Sequence, residues 1–450
     1  MPMDEAGSNR TVSLRWGYLS MSCGTGGRTT RWTAGGKALG VVALLLAAAN
    51  MRTGIASMGP LMAAFQAVWG VGAGAAGTLM TLPIVAFGFF SPLMPAVARR
   101  LGLSKALGGA LVWLTLALAL RPWDGYGAMA VGTLAAGVGM AALNVLLPAF
   151  IKARYPERMG TLTGLYTMML NLAAALATGA TASAALAWGW PWPLVLSLWS
   201  LPAGAAAFVW AAAFGRQDPT ADERSADVGM AGERPVASGA SLRSALRSPT
   251  AWAVTAFMGL QSFLFFSAAA WLPTMLGAEG VPEWAAGWWF SATQFIGIPA
   301  NFLFPWVAVR LSRQRGLGAL VGGLFVVGWG LYAALGARAV VPVVVALGAA
   351  QAAGISLALA LIGLRSETAA GTAALSGMAQ SVGYLIAAVG PVGVGALLDL
   401  AGRPAALSLL LVTSGLTVLA GFRAGAPVTM EAELGRAAER GRRAGEPGLR

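Results

Sequence analysis

Residues 38–62, the first long apolar stretch of the chain, read ALGVVALLLAAANMRTGIASMGPLM. About 20 mostly apolar residues are enough to cross a bilayer as an α-helix. This stretch exceeds that length, with Arg52 as its one charged residue. Similar stretches recur to near the end of the chain, separated by short basic breaks. The pattern predicts a chain that crosses a membrane many times.

The composition agrees with a membrane protein. The 450 residues are 57% apolar and 10% charged, and their mean hydropathy is +0.70. A soluble protein carries about 25% charged residues, because its surface must be solvated. The 61 glycines favour helices that pack closely in lipid, where small side chains let the backbones approach each other.

We predict an all-α membrane protein with twelve transmembrane helices in two pseudo-symmetric six-helix bundles. The predicted spans are 38–62, 74–98, 107–120, 126–151, 161–186 and 193–214 in the first bundle, and 250–276, 285–309, 317–335, 340–364, 373–398 and 405–422 in the second.

These spans divide the chain into five parts. They are a polar N-terminal tail (1–36), a first bundle (37–214), a central loop (215–249), a second bundle (250–423) and a charged C-terminal tail (424–450). The N-terminal tail has no apolar core long enough for a signal peptide. The central loop is rich in Ser, Asp and Arg, as expected of a solvated connection between two bundles.

The distribution of Lys and Arg predicts the orientation. These residues concentrate in both tails, the central loop and the breaks on the same side, whereas the breaks on the other side hold Arg121, Arg338 and Arg403. The positive-inside rule therefore predicts an inner-membrane protein with both termini in the cytoplasm. The net charge of +13 does not indicate nucleic-acid binding, because the arginines lie in short loops and form no continuous basic face.

The two halves of the chain repeat each other. Thr163-Gly164 in the fifth span matches Ser376-Gly377 in the eleventh, and Pro60 in the first span matches Pro273 in the seventh, at a similar offset. A duplicated six-helix unit predicts a pseudo-two-fold axis along the membrane normal, with a binding site between the halves near mid-bilayer.

Arg52 is the one Lys or Arg that the predicted spans leave deep in the membrane. An arginine at the centre of such a helix costs at least ~2.5–3.5 kcal/mol, so it should face a cavity and a partner. No Asp or Glu lies at comparable depth in a predicted span, and Asp399, the nearest, is interpreted as a loop residue. An unpaired guanidinium suits an anionic or strongly dipolar ligand. Alternatively, Arg52 bonds to helix-end carbonyls or lies nearer the surface.

Further polar residues within the predicted spans are candidate contacts for a substrate. They are Asn144, Tyr166, Thr167, Asn171, Gln261, Gln294, Gln351, Gln380 and Tyr384. Thr167 and Asn171 share one helical face, as do Gln380 and Tyr384, and the repeat makes these two faces equivalent. For any one of these residues, a hydrogen bond between helices inside the protein is an equally good interpretation.

Several kinds of site are excluded. With Cys23 as the single cysteine and no histidine, the chain cannot form an internal disulfide, a histidine proton relay or a His-ligated metal centre. A Gly-rich phosphate loop followed by Lys and Ser or Thr is missing, so direct use of ATP is not predicted. We predict no cofactor. A membrane-embedded enzyme would need a nucleophile or a general base, and the chain has no histidine and no acidic residue deep in a predicted span. A sensor would need a folded soluble domain, and none of the polar segments is long or apolar enough to form one. Both alternatives are therefore disfavoured.

Eight stretches carry a resemblance in their order and spacing. They are NMRTGIASMGPL (50–61), TLP (81–83), NVLLP (144–148), TGLYTMMLN (163–171), FMGLQS (257–262), AWLP (270–273), LIGLR (361–365) and ALSGMAQSVGY (374–384). Together they resemble the cyanate/2-nitroimidazole transporter family of the major facilitator superfamily. The resemblance implies alternating-access transport of small nitrogenous or anionic solutes, with Asn50 and Arg52 as substrate contacts. Arg99 stands where the superfamily's loop motif has Asp, which puts its standard cytoplasmic gate contact in doubt.

The resulting hypothesis is a monomeric transporter, secondary active or facilitative, of a small anionic or nitrogen-containing solute. Cyanate-like and 2-nitroimidazole-like compounds are the expected substrates. The alternative is efflux of hydrophobic or drug-like compounds, although efflux of cations would favour a carboxylate within the membrane. Because no such carboxylate is visible, uptake is expected to depend weakly, if at all, on a protein carboxylate such as Asp399.

Overall fold

The computed structural model describes residues 34–215 and 244–436, and every regular element within those ranges is a helix. Most of the predicted N-terminal tail and central loop, and the last residues of the C-terminal tail, lie outside these ranges. Nine helices of the described chain are long and apolar enough to cross a membrane, and two of the nine contain two spans each. The more polar helix Glu283–Ala308 completes a set of twelve spans among the described residues.

The predicted twelve helices are confirmed. The first six spans are Ala34–Ala56 continued by Met62–Trp69, Ala73–Phe90 continued by Met94–Leu101, Leu103–Leu120, Gly125–Arg154, Met159–Ala182, and Trp192–Leu198 continued by Ser200–Phe214. The last six are Pro249–Gly277, Glu283–Ala308, Arg315–Leu335, Val340–Leu364, and the parts 369–401 and 403–424 of the long helix Ala369–Ala424. Gly402 separates the last two spans with a φ of 74°, a conformation that glycine adopts without steric cost.

Hydrogen bonds between the connections show which helix ends lie together. At one end, which we call the terminal end because the described chain finishes there, the Gln314 N–H donates to Gly425 O at 3.0 Å and the Met430 N–H donates to Arg365 O at 2.9 Å. At the opposite end, called the distal end, the Glu279 carboxylate accepts a hydrogen bond from the Ala337 N–H and pairs with Arg403. At each end, these bonds join connections between spans. The connections at the two ends alternate along the chain, as expected if successive spans run antiparallel.

The two halves meet along two main seams, and the hydrogen bonds that join them lie toward the distal end. The first seam joins the second and eleventh spans, where a Cβ atom at Gly77 would overlap with Pro391 O. Its outer edge is held by Asp399, whose two carboxylate oxygens accept hydrogen bonds from the N–H groups of Ala73 and Gly74, both at 2.8 Å. Small residues are therefore required here, because the two backbones touch.

The second seam joins the fifth and eighth spans. The Ser291 hydroxyl donates to Ala175 O at 2.8 Å, and the Trp288 indole N–H donates to Ser183 Oγ at 2.9 Å. Gly287 packs against Ala182, where a Cβ atom would overlap with the alanine methyl group. The first and seventh spans also touch on this side, where a Cβ atom at Gly59 would overlap with Ala269 O. These three contacts together close the distal end of the space between the halves.

The first span is interrupted near its middle. The Met58 N–H bonds to Ile55 O at 3.1 Å instead of to Gly54 O, and a 3₁₀ turn follows at Gly59–Leu61. Pro60 lies in this turn and contributes no N–H donor. The Gly54 carbonyl is thereby left without its helical partner.

Arg121 occupies this break. One guanidinium nitrogen donates to Gly54 O at 2.9 Å and another to Ser57 Oγ at 3.4 Å, and the residue is only 1% exposed. The interpretation of Arg121 as a loop arginine, and of Arg52 as the one deep basic residue, is therefore wrong. The physical reason is that the long arginine side chain folds back into the bundle, where the broken helix supplies acceptors.

Candidate functional site

A cavity with about 380 Å³ of empty space lies between the two halves. Its lining residues are Arg52, Asn171, Gln261, Ser262, Phe265, Thr293, Gln294, Asn301, Gly348, Gln351, Ala352 and Ile355. The first half contributes Arg52 and Asn171, and the seventh, eighth and tenth spans contribute the others. The structure thus brings five of the predicted site residues to one cavity, at the interface where the repeat predicts a site.

Arg52 is a partly exposed cation of this lining. Its guanidinium carbon lies 5.0 Å from the centre of the Phe265 ring, and Tyr166 and Tyr384 are its other electrostatic neighbours. Within residues 34–215 and 244–436, its guanidinium makes no hydrogen bond and no carboxylate pairs with it. A cation–π contact is worth about 0.5–2 kcal/mol and uses none of the N–H groups, so the donors of Arg52 remain available to a ligand.

The second half presents amide and hydroxyl groups to the same cavity. The Gln294 Nε2 group donates to Gln351 Oε1 at 3.3 Å, and the Thr293 hydroxyl donates to Phe290 O at 2.7 Å while lying 3.4 Å from Gln351 Oε1. Gln351 is 4% exposed, and its Nε2 group has no partner among the residues that the structure describes. An unpaired buried donor costs roughly 1–3 kcal/mol.

Two further amides complete this side of the cavity. Asn301 Oδ1 is buried and, as far as the described chain extends, accepts no hydrogen bond. The Gln261 Nε2 group is satisfied, because it donates to Ser262 Oγ at 2.6 Å and to Met258 O at 3.1 Å. Gln351 Nε2 and Asn301 Oδ1 are thus two buried polar atoms of lining residues that have no hydrogen-bond partner in the described chain.

Not every predicted site residue reaches the cavity. The Asn50 amide donates to Leu46 O at 2.8 Å and to Pro202 O at 3.2 Å, so this buried side chain joins the first and sixth spans. Thr167 donates to Thr163 O within its own helix at 2.8 Å.

Gln380 likewise bonds within its own helix, donating to Ser376 Oγ at 2.9 Å. Tyr384 interacts with Asn144 of the fourth span, and its ring centre lies 5.5 Å from that of Phe87. The two equivalent faces predicted on the fifth and eleventh helices therefore each contribute one residue to the site. Asn171 of the fifth helix lines the cavity together with Arg52. Tyr384 of the eleventh helix is an electrostatic neighbour of the Arg52 guanidinium.

Sequence reasoning missed four polar or aromatic members of the lining, namely Ser262, Phe265, Thr293 and Asn301. For Phe265 a signal existed, because the offset that relates Pro60 to Pro273 also relates Arg52 to Phe265. Asn301 lies within a predicted span and could have been recognised as a polar residue in an apolar stretch. The others are ordinary helix residues whose position only packing reveals.

Comparisons with known proteins agree with this architecture. The family model for the Major Facilitator Superfamily matches residues 41–391. The chain is 38% identical over 360 residues to an uncharacterized transporter, YycB, of Bacillus subtilis (strain 168), which covers 80% of this chain and 86% of that protein.

Two further relatives come from Escherichia coli (strain K12). The 2-nitroimidazole transporter is 33% identical over 383 residues, 84% of this chain and 94% of that one. The cyanate transport protein CynX is 25% identical over 366 residues, 81% of this chain and 91% of that one.

Among solved structures, a bacterial homologue of the human lysosomal transporter Spinster, in an inward-facing and unoccupied conformation, superposes with a TM-score of 0.68. It covers 90% of this chain and 99% of its own, at 12% identity, which shows a shared fold. The extent of the family match and the 33% identity to a full-length relative decide the assignment. The chain belongs to the Major Facilitator Superfamily, and it is a multi-pass membrane transporter of a small solute rather than an enzyme.

Proposed function

We propose that this transporter carries a small anionic solute by alternating access, with Arg52 as the residue that binds the anion. The observation that carries this proposal is the Arg52 guanidinium, which lines the cavity between the halves and has neither a carboxylate nor a hydrogen-bond partner in the described chain. A guanidinium binds a planar anion through two parallel hydrogen bonds. The attraction is stronger in the protein interior than in water, because the effective dielectric constant is lower.

The names of two relatives support a cyanate-like or 2-nitroimidazole-like solute, since one is a 2-nitroimidazole transporter and the other a cyanate transport protein.

The transport cycle follows from the two seams. The positive-inside rule supports a cytoplasmic terminal end and an inner-membrane location. On that orientation, the second and eleventh spans and the fifth and eighth spans close the periplasmic side. Access from the periplasm then requires both seams, and the contact of Gly59 with Ala269, to separate, which a rocking motion of one half against the other achieves.

Thermal stabilisation of the purified protein in detergent tests the anion site. Cyanate, nitrate and acetate should raise the melting temperature of the wild type. At a ligand concentration of 100 times Kd, binding raises the free energy of unfolding by about 2.7 kcal/mol. Arg52→Ala should abolish the shift. Arg338→Ala is a matched control, because it removes one exposed distal arginine and leaves the cavity intact.

Uptake of the anion that gives the largest shift is then measured in proteoliposomes. Loss of uptake in Arg52→Ala, with normal uptake in Arg338→Ala, is the expected result. If neutral 2-nitroimidazole or hydrophobic compounds stabilise the wild type and Arg52→Ala equally, and anions stabilise neither, the anion proposal is wrong and efflux of hydrophobic compounds becomes the better interpretation.

A further inference from the structure

The two sides of the cavity differ in charge. The first half contributes the Arg52 cation, whereas the second half contributes neutral amides and hydroxyls, and none of the described lining residues is acidic. A ligand held between them therefore meets a positive group at one end and neutral hydrogen-bonding groups at the other. A simple anion pairs fully with the positive group. It can accept hydrogen bonds from the neutral groups, but it cannot donate any to them.

Among the described lining residues of the neutral side, two buried side-chain atoms have no hydrogen-bond partner, one a donor and one an acceptor. Gln351 Oε1 is occupied by Gln294, which holds the amide in place and leaves the Nε2 donor unpaired within the described residues. Asn301 Oδ1 is an acceptor of the same lining, and it has no partner in the part of the chain that the structure describes. A ligand satisfies both atoms only if it accepts a hydrogen bond from Gln351 and donates one to Asn301.

We infer that the preferred substrate is a small anion that also carries a hydroxyl or N–H group, with its charge on Arg52, an acceptor on Gln351 and its donor on Asn301. This inference rests on the proposed function, because it assumes that Arg52 binds the charged end. Nitrate, acetate and cyanate carry no hydrogen-bond donor, so they leave the Asn301 Oδ1 acceptor unpaired. Sites that hydrogen-bond a hydroxyl discriminate strongly against analogues that lack it, because a buried polar group is then left unpaired.

Two matched pairs of ligands test the inference. Acetate and glycolate differ by one hydroxyl group, as do propionate and lactate. Binding of each anion to the purified full-length protein is measured by calorimetry. We expect the hydroxylated member of at least one pair to bind about tenfold or more tightly, as one good hydrogen bond provides.

Variants assign the preference to the two amides. Asn301→Leu should reduce the preference for the hydroxylated anion over its plain partner to about one. Gln351→Met should weaken both members of a pair by a similar factor. Asn301→Ala replaces the leucine variant if that protein does not fold, and the melting temperature without ligand serves as the folding check.

The outcomes separate this inference from the proposed function. If hydroxylated and plain anions bind the wild type equally and both need Arg52, the anion site is correct and the donor requirement is wrong. A preference that persists in both Asn301 variants also overturns the assignment to Asn301. If no anion binds the wild type, the proposed function itself fails.

Discussion

The first and seventh spans occupy equivalent places in the two halves, and they differ where they face the cavity. The first span breaks at Met58 and carries Arg52, whereas the seventh runs without interruption from Pro249 to Gly277 and carries Phe265 at the equivalent position. The guanidinium and the ring contact each other across the interface. A duplicated scaffold thus provides two equivalent positions, and different side chains at those positions make an asymmetric site.

The equivalent prolines also behave differently. Pro60 lies in the 3₁₀ turn of the broken first span, whereas Pro273 lies inside a continuous helix. Arg121 satisfies the carbonyl that the first break exposes. A proline therefore marks a possible bend, and the neighbouring side chains decide how far the helix departs from its regular path.

Exchanging the two facing residues tests the comparison most severely. Arg52→Phe should reduce anion uptake by about 100-fold, because a charge-assisted hydrogen-bond pair contributes several kcal/mol. The double variant Arg52→Phe/Phe265→Arg should recover at least about tenfold of that loss, since the cation returns to the same cavity. Uptake in proteoliposomes at matched protein content measures both. A double variant as inactive as the single one would show that the cation works only from the first span.

Removing Arg121 tests why only the first span is broken. Arg121→Met keeps most of the volume but leaves the Gly54 carbonyl without its donor, so it should lower the free energy of unfolding by about 1–3 kcal/mol. The measurement is the melting temperature in detergent. Arg338→Met is the matched control and should change stability by less than about 0.5 kcal/mol. Equal stability of the two variants would contradict a structural role for Arg121.

Adding bulk at a seam tests whether the close contact of the halves is needed. Gly77→Val should prevent the second and eleventh spans from touching at Pro391 and reduce uptake by about tenfold, because overpacking costs about 1–3 kcal/mol. Gly109→Val is the control, since that glycine of the third span faces open space. Labelling of a cysteine placed at the seam, in a Cys23→Ser background, should increase in Gly77→Val. Unchanged labelling and uptake would show that the seam tolerates the extra volume.

The smallest effect is expected at Asp399. Asp399→Asn retains one carbonyl oxygen for the N–H groups of Ala73 and Gly74, and the site is exposed, so uptake should change by less than about threefold. Asp124→Asn, another exposed acidic residue, is the control. Loss of uptake at normal expression would make Asp399 a coupling residue and would contradict the weak dependence on carboxylates.

Hydropathy located all twelve spans but not their interruptions. Residues 38–62 were predicted as one helix, whereas the first span breaks before Pro60 and continues to Trp69. The free energy of placing a side chain in lipid depends mainly on the residue type, so a membrane span can be recognised from the sequence alone. A break depends on which carbonyl is accepted by which distant donor, and Arg121 lies far from Gly54 along the chain.

The candidate site was predicted in part for the same reason. Arg52, Asn171, Gln261, Gln294 and Gln351 could be selected because a polar group in a membrane span is costly and therefore informative. Asn50 satisfied the same criterion, yet its amide bonds to the sixth span instead of facing the cavity. The free-energy cost of a polar side chain in a membrane span shows that it needs a hydrogen-bond partner. It does not show whether that partner is a ligand or another helix.

By itself, then, the sequence determined a membrane-spanning, duplicated all-helical chain with a deep arginine that needs a partner. The spans follow from transfer free energies, which add residue by residue along the chain. The duplication follows from comparing the two halves of the sequence. Only the tertiary structure decided that Phe265 faces Arg52 and that Arg121 fills the helix break. It also decided that Gln351 Nε2 and Asn301 Oδ1 have no partner among the residues that the structure describes. Those facts depend on the directions of side chains from separate helices, and packing between the helices sets those directions.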